Sequence, residues 1–111
     1  MTVTAKPLIA AKYAAATATA EYTAATGVRA IIDKFTGYNG TAGSLTLTVN
    51  IVPTTGSVAG SNVLVVKTIA AGVTETFPEV CGHALEPGGF ISVIASAGSS
   101  ISIRASGREI T

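Results

Sequence analysis

Cys81 and His83 are the one pair in the chain that resembles a ligand set or a nucleophile with its base. Two positions apart on an extended segment, their side chains would share a face, which permits contact. A zinc site needs more ligands than that, and the sequence holds no second Cys or His. No orienting carboxylate or oxyanion-binding loop accompanies the pair, so nucleophilic catalysis lacks its other parts. Cys81 is therefore read as a small core residue and His83 as a polar edge residue. Catalytic residues, metal ligands and cofactor-binding residues are all assigned as none.

The six carboxylates, Glu21, Asp33, Glu75, Glu79, Glu86 and Glu109, are dispersed along the chain. Paired acids for glycoside hydrolysis can come from distant strands. Such enzymes, and sugar-binding modules, also want an aromatic-lined surface, whereas this chain has no Trp, 3 Tyr and 3 Phe. The segment Gly37-Tyr-Asn-Gly-Thr-Ala-Gly43 spaces its glycines regularly. It lacks a following Lys-Ser/Thr, and a strand rather than a helix comes next, so it reads as a turn and not a phosphate cradle. The basic residues Lys6, Lys12, Arg29, Lys34, Lys67, Arg104 and Arg108 form no stripe that could neutralise a row of phosphates, so no nucleic acid partner is expected. No apolar run approaches the roughly 18 residues of a membrane-spanning helix. Lys6, Pro7 and Lys12 also interrupt the apolar region a secretory signal would need.

The elements that would hold these residues are strands. In Ser44–Val52, Leu45, Leu47, Val49 and Ile51 alternate with Ser44, Thr46, Thr48 and Asn50, the pattern of a half-buried strand. Ile101, Ile103 and Ala105 alternate with Ser100, Ser102, Arg104 and Ser106 in the same way, and Ile91, Val93 and Ala95 form one face of a strand that Phe90 and Ile94 make apolar on both sides. With Ala97-Gly98-Ser99 between them, 90–97 and 100–106 read as a hairpin. Val63–Ile69 is apolar on nearly every side chain, which predicts a central strand or one facing a partner. Ala10–Ala25 reads as a strand because threonines recur at every second position. Asn39-Gly40 and Glu86-Pro-Gly-Gly89 are turn signals. Strands at this spacing predict an all-β fold: an antiparallel β-sandwich, jelly-roll-like, of about eight strands. Residues 13–111 form the single sandwich domain, and residues 1–12, with Pro7, read as an extended N-terminal arm.

Composition sets the context. Only 12% of the 111 residues are charged, about half the usual share of roughly 25%. Threonine and serine fill the polar positions, net charge is +1 and mean hydropathy is +0.54. Proteins near neutrality tend to associate. This suits a surface partly covered by neighbouring chains, and it also suits an ordinary Ser/Thr-rich β domain. The single cysteine cannot form an internal disulfide, so nothing signals an oxidising compartment. Tyr13 and Tyr38, near the arm and a turn, are candidate interface anchors. Lys6, Pro7, Leu8 and Ile9 join them because an extended arm can add a strand to a neighbour's sheet edge.

The order of phrases carries a resemblance. Glu21-Tyr-Thr-Ala-Ala-Thr-Gly27 leads into Arg29-Ala-Ile-Ile-Asp33, a Thr-rich strand ending Val52-Pro53, a Gly/Ser loop and Ile69-Ala-Ala-Gly72. Thr76-Phe-Pro-Glu79, Leu85-Glu-Pro-Gly-Gly-Phe-Ile91 and Ser106-Gly-Arg-Glu-Ile110 complete it. Over about residues 15 to 111 the chain resembles the small β-sandwich virion proteins of tailed bacteriophages. Within them it is most similar to the capsid decoration, or staple and cement, proteins of short-tailed phages. The resemblance implies a non-enzymatic protein on the outer surface of the capsid, made in the host cytoplasm. Its partner would be the major capsid protein, and on the virion it would act as a homodimer or other homo-oligomer. The alternatives are a neck, tail or fibre-associated virion protein and, further off, a surface adhesin or carbohydrate-binding module.

Overall fold

A computed structural model describes all residues from Met1 to Thr111. The threonine-alternating segment becomes β4 (Leu45–Val52), and the other strands are β1 (Val3–Tyr13), β2 (Ala20–Thr23), β3 (Arg29–Asn39), β5 (Val63–Ile69), β6 (Thr74–Thr76), β7 (Ala84–Leu85), β8 (Phe90–Ala95) and β9 (Ile101–Ile110). The one helical element is a 3-10 turn at Gly60–Asn62. One sheet runs β1-β9-β3-β6, with β7 also on β3, and the other runs β2-β8-β4-β5. All pairings are antiparallel. Setting aside the two-residue β7, these two four-strand orders are those of a jelly roll, which removes most exposed edge by folding two Greek keys onto each other.

The inner faces carry the aliphatic half of each alternation. Ile32, Phe35, Ile101 and Ile103 from the first sheet meet Leu47, Val49, Ile91 and Val93 from the second, all essentially inaccessible. Phe77, from the segment after β6, packs edge-to-face on Phe35 with ring centroids 5.0 Å apart. Each buried aliphatic or aromatic side chain here contributes roughly 1.5–3 kcal/mol by leaving water, and the two sheets are held mainly by this term.

Several expectations are corrected. Segments 90–97 and 100–106 do not form a hairpin. β8 lies in one sheet and β9 in the other, and the chain crosses the sandwich at Ala97–Ser100, where Ser99 takes a positive φ of 53°. Their apolar faces, Ile91/Val93/Ala95 and Ile101/Ile103/Ala105, line opposite walls of the same core. Of the two readings of Val63–Ile69, the central strand is excluded, because β5 lies at the edge of its sheet. Of Ala10–Ala25, only the ends are strand. The stretch between Tyr13 and Ala20 is irregular, although its carbonyls at Ala15 and Thr19 still accept from Ala95 and Val93.

Gly37 is not part of a turn, because β3 continues to Asn39. A Cβ at Gly37 would come within 3.2 Å of Ile69 and 3.3 Å of Leu47, so a side chain there would press on core neighbours that must shift to admit it. Asn39 instead builds the turn: its Oδ1 accepts from the Thr41 amide and hydroxyl, and its Nδ2 donates to the carbonyls of Gly43 and Ile69. The Glu86–Gly89 turn forms as read, with Gly88 at φ 88° and the Gly89 amide donating to the Glu86 carbonyl.

Residues 1–12 are extended, yet they are not free of the domain. As β1 they pair with β9 of the same chain from Val3↔Ile110 to Tyr13↔Ser102. Pro7 removes a backbone donor from this edge, and register shifts between Pro7/Ile9 and Ile9/Lys12 distort it. Both devices discourage a further strand from adding there.

Candidate interface surfaces

The Cys81–His83 pair lies in a turn before β7, not on a strand. The Cys81 thiol donates to the Phe77 carbonyl at 3.5 Å, and the His83 carbonyl accepts from the Ile32 amide. Cys81 is partly accessible rather than buried. No group of three or more His, Cys, Asp or Glu side chains converges as metal ligands would.

Five of the six carboxylates serve as ion-pair and hydrogen-bond partners, and Glu75 holds no ion pair. Glu109 receives the Tyr22 hydroxyl and lies 3.4 Å from Lys6 Nζ. Glu21, its side chain almost wholly inaccessible, takes Lys12 Nζ at 2.6 Å, and Asp33 takes the Arg108 guanidinium in a two-point contact. Arg29–Glu86 and Lys67–Glu79 complete the set. Burial, then the Glu109 carboxylate, drives the Tyr22 hydroxyl well above the ordinary phenol range. The Tyr22 hydroxyl and then Lys6 hold Glu109 below the usual carboxylate value. These groups tie the two sheets and their edges together, because Tyr22 sits on β2 and Glu109 on β9.

The six residues expected at a partner interface separate into two sets. Leu8 and Ile9 turn into the domain's own core, at 6% and 2% exposure. The register shift beside them lets two consecutive residues point the same way, as a bulge does, so neither is a partner contact. Lys6, Pro7, Tyr13 and Tyr38 stand on the surface. Tyr13 and Tyr38 are 59% and 45% exposed and face each other across Ser102, which pairs with both. Together they line a concavity of about 200 Å³.

The next rows of the same outer face are Thr36 opposite Arg104 and Lys34 opposite Ser106. The outer face of the β1-β9-β3-β6 sheet is thus a strip of tyrosine, hydroxyl and basic residues. Sequence reading selects the tyrosines but misses Lys34 and Arg104. Their signal is the alternation itself, since each shares a strand face with Tyr38 or Ser102 at even spacing.

The outer face of the other sheet is different in kind. Thr48 lies between Ile94 and Val66, while Asn50 opposite Ser92 and Val52 opposite Phe90 are buried, with Asn50 bonded to the loop at Ala59 and Asn62. No Asp, Glu, Lys or Arg side chain belongs to this face. Lys67 is opposite the core residue Leu47 and its Nζ lies over the Phe77 ring at 4.8 Å, while Glu21 is committed to Lys12. Val63 and Val66 are 41% and 58% exposed at its edge.

No family model matches the chain, and no curated protein matches its sequence. Solved structures do. A chain of the Bacillus endospore appendages, described as a novel family of disulfide-linked pili, aligns with a TM-score of 0.57 at 14% identity, over 99% of this chain and 88% of that one. Chains from infectious bursal disease virus align less well. The Gx strain gives a TM-score of 0.43 at 14% identity and the Gt strain 0.39 at 12%, each over 97% of this chain but 30% and 32% of theirs. The likeness to the appendage chain shows a shared fold.

Proposed function

We propose that this chain is a non-enzymatic structural protein of a tailed-phage particle that binds the outer surface of the capsid and bridges its subunits. The observation that carries the reading is the strip formed by Tyr13, Tyr38 and Arg104 on one outer sheet face. Tyr and Arg are the residue types that dominate binding energy at interfaces, since they bring large area with few rotamers. A bridge needs a second contact surface, and the uncharged face around Thr48, Val66 and Ile94 lies on the opposite side of the sandwich. The low charge content and the sequence resemblance support the same reading. The major capsid protein is the partner, and the chain acts there as a homodimer or other homo-oligomer.

A second reading, a tail- or fibre-associated subunit, is favoured by the likeness to a pilus chain. With a single cysteine, one disulfide can join at most two copies, so a covalently linked fibre cannot propagate through this chain.

Electron cryo-microscopy of the particles that contain the protein tests the proposal. Jelly-roll density distributed over the shell, with the β1-β9-β3 face turned to the capsid, is expected. Density confined to a ring at the neck or tail supports the second reading, and density inside the shell contradicts both.

A further inference from the structure

We infer that the groove between β1 and the outer face of β3 and β9 is a carboxylate-binding site that receives an acidic side chain of the partner protein. The inference rests on the reading of this face as the partner interface and gives it a chemistry. Five of the seven cationic side chains, Lys6, Lys12, Arg29, Lys67 and Arg108, hold ion pairs with acids of this chain. Lys34 and Arg104 hold none, and both line one cavity of about 450 Å³. They converge there from different strands.

The register explains how. Lys34 is opposite Ser106 and Thr36 is opposite Arg104, so the four form a square with the cations at opposite corners. Diagonal neighbours on a sheet face lie about 7–8 Å apart, within reach of each other's long side chains, and like charges so placed repel. An anion between them turns that repulsion into two charge-assisted hydrogen bonds, with the Thr36 and Ser106 hydroxyls on the remaining corners. The nearest acid on this face, Asp33, is occupied by two Arg108 guanidinium nitrogens. The fourth wall is apolar, formed by Pro7, Ala10 and Ala11. It exists because the β1 register shifts pull that edge off the ladder. A cationic corner against a short apolar wall suits the carboxylate and methylenes of Asp or Glu in a peptide. The acid required is one the partner supplies.

The test is an amide-resolved NMR titration of the full chain with acetyl-Ala-Glu-Ala-amide, acetyl-Ala-Gln-Ala-amide and inorganic phosphate. Saturable shifts at Lys34, Thr36, Arg104 and Ser106 are expected with the Glu peptide. They should weaken at least ~10-fold in Lys34→Gln/Arg104→Gln and with added salt. Both side chains are exposed, so the fold should be retained; Lys34→Gln alone should weaken binding to an intermediate degree. Equal shifts with the Gln peptide, unchanged shifts in the double variant, or a response to phosphate alone would overturn the assignment. So would shifts that grow with protein concentration and vanish in Glu75→Gln, because the occupant would then be a second copy. The titration uses no capsid, so its failure is distinguishable from failure of the capsid reading.

Discussion

Tyr13 and Tyr38 come from strands that never pair with each other, yet each is the direct cross-strand neighbour of Ser102. β9 runs between β1 and β3, and a small residue at its centre leaves the two phenol rings room to stand exposed on either side. The jelly-roll crossing of the last strand into the first sheet is what creates this pairing. The proposed interface is therefore linked to the topology, and substitutions that disturb β9 should disturb it as well.

Gly107→Ala is the sharpest case. A Cβ at Gly107 would overlap the Ile31 carbonyl oxygen and press on Leu8, and neither a mid-strand backbone nor a core side chain can yield cheaply. We expect a loss of about 1–3 kcal/mol or more, read by urea unfolding, with retarded binding to any partner of the β1-β9-β3 face.

Phe77 plugs the core under β5, edge-on to Phe35 at 76° and beneath the Lys67 ammonium. Phe77→Ala should cost about 3–5 kcal/mol. Lys67→Met, which keeps the stem and drops the charge, should cost less, because it loses only a partly exposed ion pair with Glu79 and one hydrogen bond to the Thr76 carbonyl. Denaturant midpoints of the two variants compare the terms directly.

Asn50 and Ser92 are buried cross-strand neighbours with unequal duties. Asn50 Nδ2 donates to the Ala59 carbonyl and to Asn62 Oδ1, which pins the loop from Ser57 to Asn62. The Ser92 hydroxyl has no protein partner. Asn50→Ala should destabilise by about 1–3 kcal/mol, whereas Ser92→Ala should be nearly neutral or stabilising. Hydrogen exchange should quicken in the loop only in the Asn50 variant.

The Tyr22–Glu109 link gives stability two pH limits. Glu109 has a lowered folded pKa, so its contribution is present above the ordinary value of 4.5 and disappears as pH falls through the lowered one. Tyr22 has a raised folded pKa, so its contribution is complete below 10.0 and is lost as pH climbs beyond. The Tm advantage of the parent over Tyr22→Phe should be greatest between those limits and shrink outside both. A constant difference across pH would remove the link from the account.

β4 is legible in the sequence because one of its faces is solvated, so Thr46 and Thr48 mark the outside. Val63–Ile69 misleads because hydrophobicity reports what a strand touches and not how many strands flank it. β5 is at an edge with Val66 exposed. The Ala97–Ser99 turn shows a similar limit. Two amphipathic strands joined by a short link fit a hairpin or a crossover between facing sheets, and only the packing of Ile91 and Val93 against Ile101 and Ile103 decides. β1 lacks alternation since its register shifts put Leu8 and Ile9 on the same side. The two exposed tyrosines are visible as residue types, but Lys34 and Arg104 stand out only once the other cations are seen to be paired.

Co-sedimentation of the parent and of Tyr13→Ala/Tyr38→Ala with capsid shells lacking the protein is the most direct test of the proposed interface. Both tyrosines are exposed, so the double variant should match the parent in Tm. Hot-spot truncations cost about 2 kcal/mol or more each, so its occupancy on shells should fall at least ~10-fold at concentrations where the parent saturates. A folded double variant that binds shells as well as the parent would contradict the assignment of this face as the interface.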